Sequence, residues 1–303
     1  MSKRTPTRYT PEQRKAQAEA LHATLTEQVK ALTDSDTWMN FLRMTASFHA
    51  YSLNNLMLIL AQFSQASAVC GFRQWQERGR QVRKGEKGIK IRGFSTKKIT
   101  TTDPITGEEI EDKIARFPIL TVFDISQTDP IEGFDQEHAL VRPCERLTGD
   151  HDNGLYTLGA EWLTNQAIPL LRANIQDGTN GYTELGENGQ AARVVVDSKL
   201  DPAHAAKTLI HEIAHIVLGH VTSGIDEYHA HRGVCETEAE SVAFVIAGMA
   251  GLDTSAYSVG YVANWSQGDP DTLRETAQRV LTAVHTVAEA FWPTPSTDAA
   301  SAA

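Results

Sequence analysis

The sequence predicts an α+β protein of two domains, and three observations support that fold class. The chain has 303 residues, which at roughly 150 residues per domain corresponds to two domains. Helical and strand periodicity both occur along it. Charge is uneven, because residues 1–130 hold 19 Lys and Arg against 14 Asp and Glu, whereas residues 131–303 hold 9 against 24. Such asymmetry is typical of two domains with different partners.

The composition excludes several protein classes. An apolar share of 41% and a charged share of 22% fit a soluble globular chain and exclude a collagen-like, coiled-coil or mostly disordered one. The longest apolar runs, 56–63 and 242–252, are shorter than the ~20 residues that span a bilayer, so no membrane partner is expected. A basic start without an apolar stretch predicts a cytoplasmic protein. The sequence has three widely spaced cysteines, Cys70, Cys144 and Cys235, which fits free thiols in a reducing cytoplasm.

Residues 1–130 are predicted to form the first, α+β domain. Apolar residues at helical spacing predict helices over 10–33, 36–50, from 52 onward and over 74–79. Glycines and strand alternation predict a tight turn at 84–88, a strand at 89–92, a hairpin tip at 104–107 and a buried strand at 119–125.

Residues 131–152 are a predicted linker, because prolines and glycines lie there among acidic residues. The second domain then covers residues 153–292. Its periodicity predicts helices over 158–170, 202–218, 234–250 and 271–290 and a strand over 193–197. The Ser-, Thr- and Ala-rich tail, 293–303, is expected to be disordered.

The pattern His211-Glu-Ile-Ala-His215 predicts a Zn²⁺ site. Residues four apart share one face of a helix, so both imidazoles can reach one ion. Glu212 is offset by about 100° and can hold and deprotonate a metal-bound water, which makes it the catalytic candidate.

A third metal ligand is expected in the acidic start of the next helix. His220 lies nine residues after His211, one short of the three-histidine spacing, and is predicted to be a helix-end residue. Glu236 and Glu240 share a helix face, so Glu236 is the predicted ligand and Glu240 the acceptor of a histidine's distal N–H, with Glu238 as the alternative. Buried core histidines beside a solvated helix start are the alternative interpretation of these residues.

A polar loop that follows the motif offers further candidates. It contains Tyr228, His229 and His231, which could donate a proton or bind an oxyanion, or be ordinary loop residues.

Residues 73–98 hold ten basic residues against two acids, with Phe72, Trp75 and Phe94 nearby. Basic residues beside aromatic rings are typical of single-stranded nucleic-acid binding, although a solvated charged face with Phe72 and Trp75 in the core is the alternative. The candidate contacts are Tyr51, Asn54, Asn55, Arg73, Trp75, Arg78, Arg80, Arg83, Lys84, Lys87, Lys90 and Arg92.

Several ordered motifs carry a resemblance to a known family. They are Tyr51-Ser-Leu-Asn-Asn55, Gly71-Phe-Arg-Gln-Trp75, Gly79-Arg-Gln-Val82, Lys84-Gly-Glu-Lys-Gly-Ile89 and Val122-Phe-Asp-Ile-Ser-Gln-Thr128. Residues 10–130 thereby resemble the N-terminal domain of ArdC-type antirestriction proteins, which implies a single-stranded-DNA-binding domain in a plasmid- or phage-borne protein.

The second half resembles the zincin metallopeptidase domain related to the ImmA/IrrE group. In that domain a Glu-x-x-x-(Asp/Asn/Glu) pattern supplies the third ligand and its helper, which matches Glu236 and Glu240. The expected function is therefore an antirestriction protein that binds single-stranded DNA and carries a zinc peptidase site with an unknown protein substrate. The alternatives are a DNA-masking protein with a structural or inactive zinc site and a protease that cleaves a regulatory protein.

Overall fold

A computed structural model describes residues 11–48, 50–93, 95–102, 109–134, 152–176, 178–186, 189–220, 225–252 and 269–293. The chain divides into two compact units, the first drawn from residues 1–28 and 54–141 and the second from 29–53 and 142–303. Both contain helices and strands, which confirms the α+β class.

The helices are α1 (Pro11–Ala31), α2 (Ser35–Phe48), α3 (Leu53–Gln62), α4 (Phe72–Glu77), α5 (Leu155–Asn165), α6 (Pro202–Val217), α7 (Ile225–Met249) and α8 (Pro270–Phe291). The strands are β1 (Val69–Gly71), β2 (Arg80–Val82), β3 (Ile89–Arg92), β4 (Ser95–Thr102), β5 (Glu109–Arg116), β6 (Ile119–Asp124), β7 (Thr128–Pro130), β8 (Leu170–Ala173), β9 (Gly181–Leu185) and β10 (Ala191–Asp197). None of the described helices combines the length and the apolar content that crossing a bilayer requires.

The first unit is built around a three-stranded antiparallel sheet in which β6 lies between β1 and β3. Ile89 and Ile91 of β3 are buried, as their alternation predicts. On the other edge of β3, the Asn55 amide bonds both the N–H and the C=O of Arg92, at 2.9 and 2.8 Å. Gln62 does the same for Lys90. Helix α3 thereby satisfies backbone groups that an edge strand would leave unpaired.

Strands β4 and β5 form an antiparallel hairpin in which Ser95 pairs with Arg116 and Thr102 with Glu109. The predicted tip at 104–107 falls between them, outside the described residues. Strand β7 lies at the end of the first predicted domain and pairs with β2, a pairing that the sequence does not predict.

The second unit packs helices against a three-stranded sheet in which β10 is central, parallel to β8 and antiparallel to β9. Helix α6 contacts α5, α7, β9 and β10 and is the core of the unit. It begins where Asp201 accepts a 2.8 Å hydrogen bond from the N–H of His204, with Pro202 in the first turn. Both features favour a helix N-terminus.

Two predicted boundaries change in the second unit. Residues 29–53, expected in the N-terminal domain, cluster with the C-terminal part of the chain because α2 packs on α7 and the buried Trp38 indole donates to Ser241 Oγ at 3.2 Å. Helix α7 begins at Ile225, nine residues before the predicted start. The tail from 294 and most of the predicted linker lie outside the described residues.

Candidate metal centre and basic segment

Helix α6 brings His211 and His215 together, and α7 adds Glu236. The two Nε2 atoms are 3.0 Å apart, and Glu236 Oε2 lies 3.4 Å from that of His211 and 3.8 Å from that of His215. Tetrahedral bonds of 2.0–2.1 Å place zinc ligands about 3.3 Å apart, so this triangle has the size that a metal ion requires. Among the described residues these three form a group that could hold such an ion.

The other nitrogen of His211 faces Glu240. His211 Nδ1 lies 3.2 Å from Glu240 Oε2, which is an ion-pair separation without the geometry of a hydrogen bond, and Lys207 Nζ contacts Glu240 Oε1 at 2.8 Å. Burial lowers the pKa of His211, but Glu236 and Glu240 outweigh it and raise the pKa to about 9. Burial raises the pKa of Glu240, whereas His211 and Lys207 lower it below its ordinary value. The negative charges of the two acids therefore favour a positive charge at His211, either a proton or a metal ion.

Glu212 lies beside this group and is nearly buried, at 8% exposure. Its Oε2 accepts a 2.8 Å hydrogen bond from the hydroxyl of Thr183 on β9. Thr183 was missed by sequence reasoning, since it lies 29 residues before Glu212 in a strand that no clear periodicity marks.

A cleft of about 600 Å³ opens in front of these residues, a size typical of ligand sites. The edge strand β9 lines one side, and α6 and α7 line the other with His211, Glu212 and Arg232. Gly181 permits this approach, because a Cβ there would lie 2.6 Å from Thr208 Cγ2 and 2.9 Å from the carbonyl of Val195. Only glycine fits between β9 and its neighbours at this point.

Glu238 is not part of the candidate metal group. It is 2% exposed and contacts His220 Nε2 at 2.9 Å and Arg279 Nε at 3.0 Å, so the alternative that placed it at the metal is wrong. Its position on α7, two residues from Glu236, turns it away from the cleft. His220 follows α6, as predicted, and its Nδ1 lies 3.0 Å from Nδ1 of His215. The side chains of Tyr228, His229 and His231 lie outside the part of the structure that is described.

Several basic residues of the first unit are engaged locally. Arg78 contacts Cys70 Sγ, Arg80 donates to Thr128, and Arg83 pairs with Glu86 and Asp129. Lys90 Nζ donates to Thr121 Oγ1, and Arg92 is half-buried. Among the described basic side chains of the segment, Arg73, Arg83, Lys84 and Lys87 are exposed, Arg83 despite its ion pairs.

Two predicted nucleic-acid contacts require correction. Trp75 is 1% exposed, packs with Cys70 and Val82, and donates its indole N–H to the carbonyl of Phe123, so its ring belongs to the core and has no face for a base. The Asn55 amide is engaged with the backbone of β3.

The remaining predicted contacts that precede the basic segment are placed differently. Tyr51 belongs to the second unit, where its ring meets Phe48 edge-on, and Asn54 is half-buried at the start of α3. Phe72 is 42% exposed, and Phe94 lies outside the described residues.

The first part of the chain is similar to a known protein family. Residues 15–123 match the family model of the N-terminal domain of the anti-restriction factor ArdC. An uncharacterized protein of Bacillus anthracis, pXO2-81, is 26% identical over 321 aligned positions, which cover 95% of this chain and 53% of that protein. The chain therefore spans about half the length of this curated relative.

Two solved structures are also similar. The metal-free crystal structure of the antirestriction ArdC protein from plasmid R388 has a TM-score of 0.42 at 19% identity, covering 79% of this chain and 85% of that one. Its Mn(II)-bound structure has a TM-score of 0.39 at 16% identity, covering 81% and 90%. Residues 15–123 are therefore similar to the N-terminal domain of the anti-restriction factor ArdC.

Proposed function

We propose that this chain is an antirestriction protein of a mobile element, cytoplasmic in location, with two activities. Its N-terminal domain binds single-stranded DNA, and its second unit is a zinc-dependent peptidase with His211, His215 and Glu236 as metal ligands and Glu212 as the catalytic residue. The observation that carries the peptidase proposal is the triangle of two Nε2 atoms and one carboxylate oxygen beside a buried glutamate.

The residues present fit a catalytic rather than a structural ion. Two histidines and one glutamate leave a fourth position open, whereas structural zinc sites are closed by four protein ligands. A zinc ion bound there would lower the pKa of a water and polarise a carbonyl oxygen.

Glu212 would then act as the base. Because Thr183 holds Oε2, Oε1 would be the oxygen that takes a proton from the attacking water. The same carboxyl group can return that proton to the leaving amine. Arg232 at the cleft and the edge of β9 are suited to bind an extended peptide, whose backbone can pair with an exposed strand.

The test compares wild type with Glu212→Gln and Glu236→Gln for bound zinc and for hydrolysis of a mixed peptide library. Glu212→Gln is expected to keep zinc and to lose about 10²- to 10⁴-fold in hydrolysis, the usual contribution of a general base. Glu236→Gln is expected to lose both the bound zinc and the hydrolysis. A wild-type protein without stoichiometric zinc would contradict the proposal.

The exposed Arg73, Lys84 and Lys87 support the DNA-binding proposal, since all three lie in the segment with ten basic residues. Gel-shift titration on single- and double-stranded DNA should show affinity for single strands with a log–log salt slope of roughly −0.7 per phosphate contact. Changing the three residues to Glu is expected to remove binding, whereas Lys199→Glu, an exposed charge in the second unit, should not. Binding that ignores both salt and these changes would exclude this surface.

The same variants separate the remaining alternatives. A DNA-masking protein with an inactive zinc site would retain antirestriction in cells after Glu212→Gln. In a protease that cleaves a regulatory protein, the basic domain would bind the protein target. Such a protein would have peptidase activity but show no salt-dependent DNA binding.

A further inference from the structure

We propose that the buried His220 and Glu238, with Arg279 behind them, form a relay that fixes which nitrogen of the His215 ring carries the hydrogen, so that Nε2 of His215 presents its lone pair to the candidate metal site. The role of the relay in metal binding rests on the proposed function, whereas the contacts that form the relay do not depend on it. These residues are positioning residues, because none of them lies within the triangle of candidate ligands.

The relay is continuous from α8 through α7 to His215 on α6. Arg279 Nε on α8 lies 3.0 Å from both oxygens of Glu238, and Glu238 Oε2 lies 2.9 Å from Nε2 of His220. His220 Nδ1 is 3.0 Å from Nδ1 of His215. The side chains of Glu238, His220 and His215 are only 2%, 3% and 8% exposed, so water competes little for the contacts among these three, whereas Arg279 is 49% exposed.

The donors and acceptors of this chain can be assigned in one direction. A carboxylate only accepts, so His220 Nε2 must carry the hydrogen that faces Glu238. The neutral His220 ring then has an acceptor at Nδ1, and His215 Nδ1 must donate to it. A neutral His215 with its hydrogen on Nδ1 has its lone pair on Nε2, the atom that faces Glu236 and His211.

The backbone holds the His220 ring in place. Gly219 adopts a positive φ of 76°, and the N–H of His220 donates to the carbonyl of His215 at 3.0 Å, which folds the chain back over the end of α6. Arg279 Nη2 donates to the carbonyl of Leu218 at 3.0 Å and secures the same turn. The turn after α6, with α7 and α8, thereby holds the His220 ring against His215, and contacts of this kind to the distal nitrogen typically orient a metal-ligating histidine.

A merely structural ion pair would have the same contacts, and Glu238→Gln distinguishes the two roles. Arg279 Nε is a donor, so the Gln carbonyl must face Arg279 and its NH₂ must face His220. His220 then accepts at Nε2 and donates at Nδ1, and His215 accepts at Nδ1. The hydrogen of the neutral His215 ring then lies on Nε2, the atom that would otherwise bind the metal.

The experiment measures the ring nitrogens of His215 by ¹⁵N NMR in chelator-treated protein, with their signals identified by their loss in His215→Asn. Zinc affinity is measured in parallel by competition with a chelator, and folding by circular dichroism. Wild type is expected to have the hydrogen on Nδ1. Glu238→Gln should move it to Nε2 and weaken zinc binding about 10- to 100-fold in a folded protein.

Three further variants complete the design. His220→Leu removes the acceptor and should weaken zinc binding similarly, whereas His220→Gln retains a carbonyl for His215 and an NH₂ for Glu238 and should restore it. His285→Gln removes a histidine of α8 outside the relay and should change neither readout. An unchanged His215 ring and unchanged affinity in Glu238→Gln would overturn the relay. A wild type that binds no zinc but has the expected His215 hydrogen would refute the proposed function alone.

Discussion

The hydroxyl of Thr183 donates a 2.8 Å hydrogen bond to Oε2 of Glu212, and this bond joins the edge strand β9 to helix α6 at the cleft. Glu212 is nearly buried, so its carboxylate has few competing partners. The bond fixes which oxygen faces the cleft, since a carboxylate held at one oxygen cannot rotate freely. Thr183 therefore positions the proposed base without contacting the candidate ligands.

Replacing Thr183 by Val is expected to lower peptide hydrolysis about 10- to 100-fold, because a hydrogen bond to a charged group contributes ~1.5–3 kcal/mol. Zinc content should stay at the wild-type level, since none of the candidate ligands is altered. Thr183→Ser keeps the hydroxyl and serves as the matched control, with near-normal hydrolysis. Equal rates for the Val and Ser variants would show that this bond does not position the base.

The candidate site could be predicted from sequence only where local spacing determines it. His211 and His215 share a helix face, as do Glu236 and Glu240, and the structure places these two acids near opposite nitrogens of His211. Thr183 could not be predicted in this way, because its contact with α6 depends on how β9 packs and not on the order of residues along one helix.

The same limit explains two other outcomes. The partners of Glu238 come from the turn after α6 and from α8, so tertiary packing alone turned a predicted alternative ligand into a buried partner of His220. Trp75 lies among basic residues, but its burial depends on β6, whose Phe123 carbonyl accepts the indole N–H. The sequence shows that aromatic and basic residues occur together in this segment, but tertiary packing determines which of them are exposed.

Ser241→Ala is expected to lower the free energy of unfolding by about 1–3 kcal/mol, because it leaves the buried Trp38 indole N–H without its acceptor. Urea denaturation followed by tryptophan fluorescence measures this change. Trp38→Phe in the same chain removes the stranded donor, so the double variant should lose less than the sum of the two single changes. Strict additivity would show that the bond does not stabilise the packing of α2 on α7.

His285 of α8 predicts a loss of stability on acidification. Burial lowers the pKa of His285 below its ordinary value of 6.5, and Glu289 opposes this only in part. As the pH falls below 6.5, the unfolded chain binds a proton that the folded chain resists, so the free energy of unfolding decreases. His285→Leu should flatten this dependence between pH 7.5 and 5.5, measured by urea denaturation in the presence of a chelator. An equally steep decrease in both proteins would assign the acid sensitivity to other groups.

Glu240→Gln is expected to weaken zinc binding about 10- to 100-fold, the usual cost of removing the carboxylate beside a histidine ligand. Glu240 Oε2 lies 3.2 Å from Nδ1 of His211, and its negative charge makes that ring a stronger electron donor. Lys207→Met removes the cation 2.8 Å from the other oxygen and leaves the carboxylate in place, so its effect on affinity should be smaller. Competition titration with a chelator measures both variants. A larger loss in Lys207→Met than in Glu240→Gln would mean that the ion pair between α6 and α7, and not the contact with His211, supports the site.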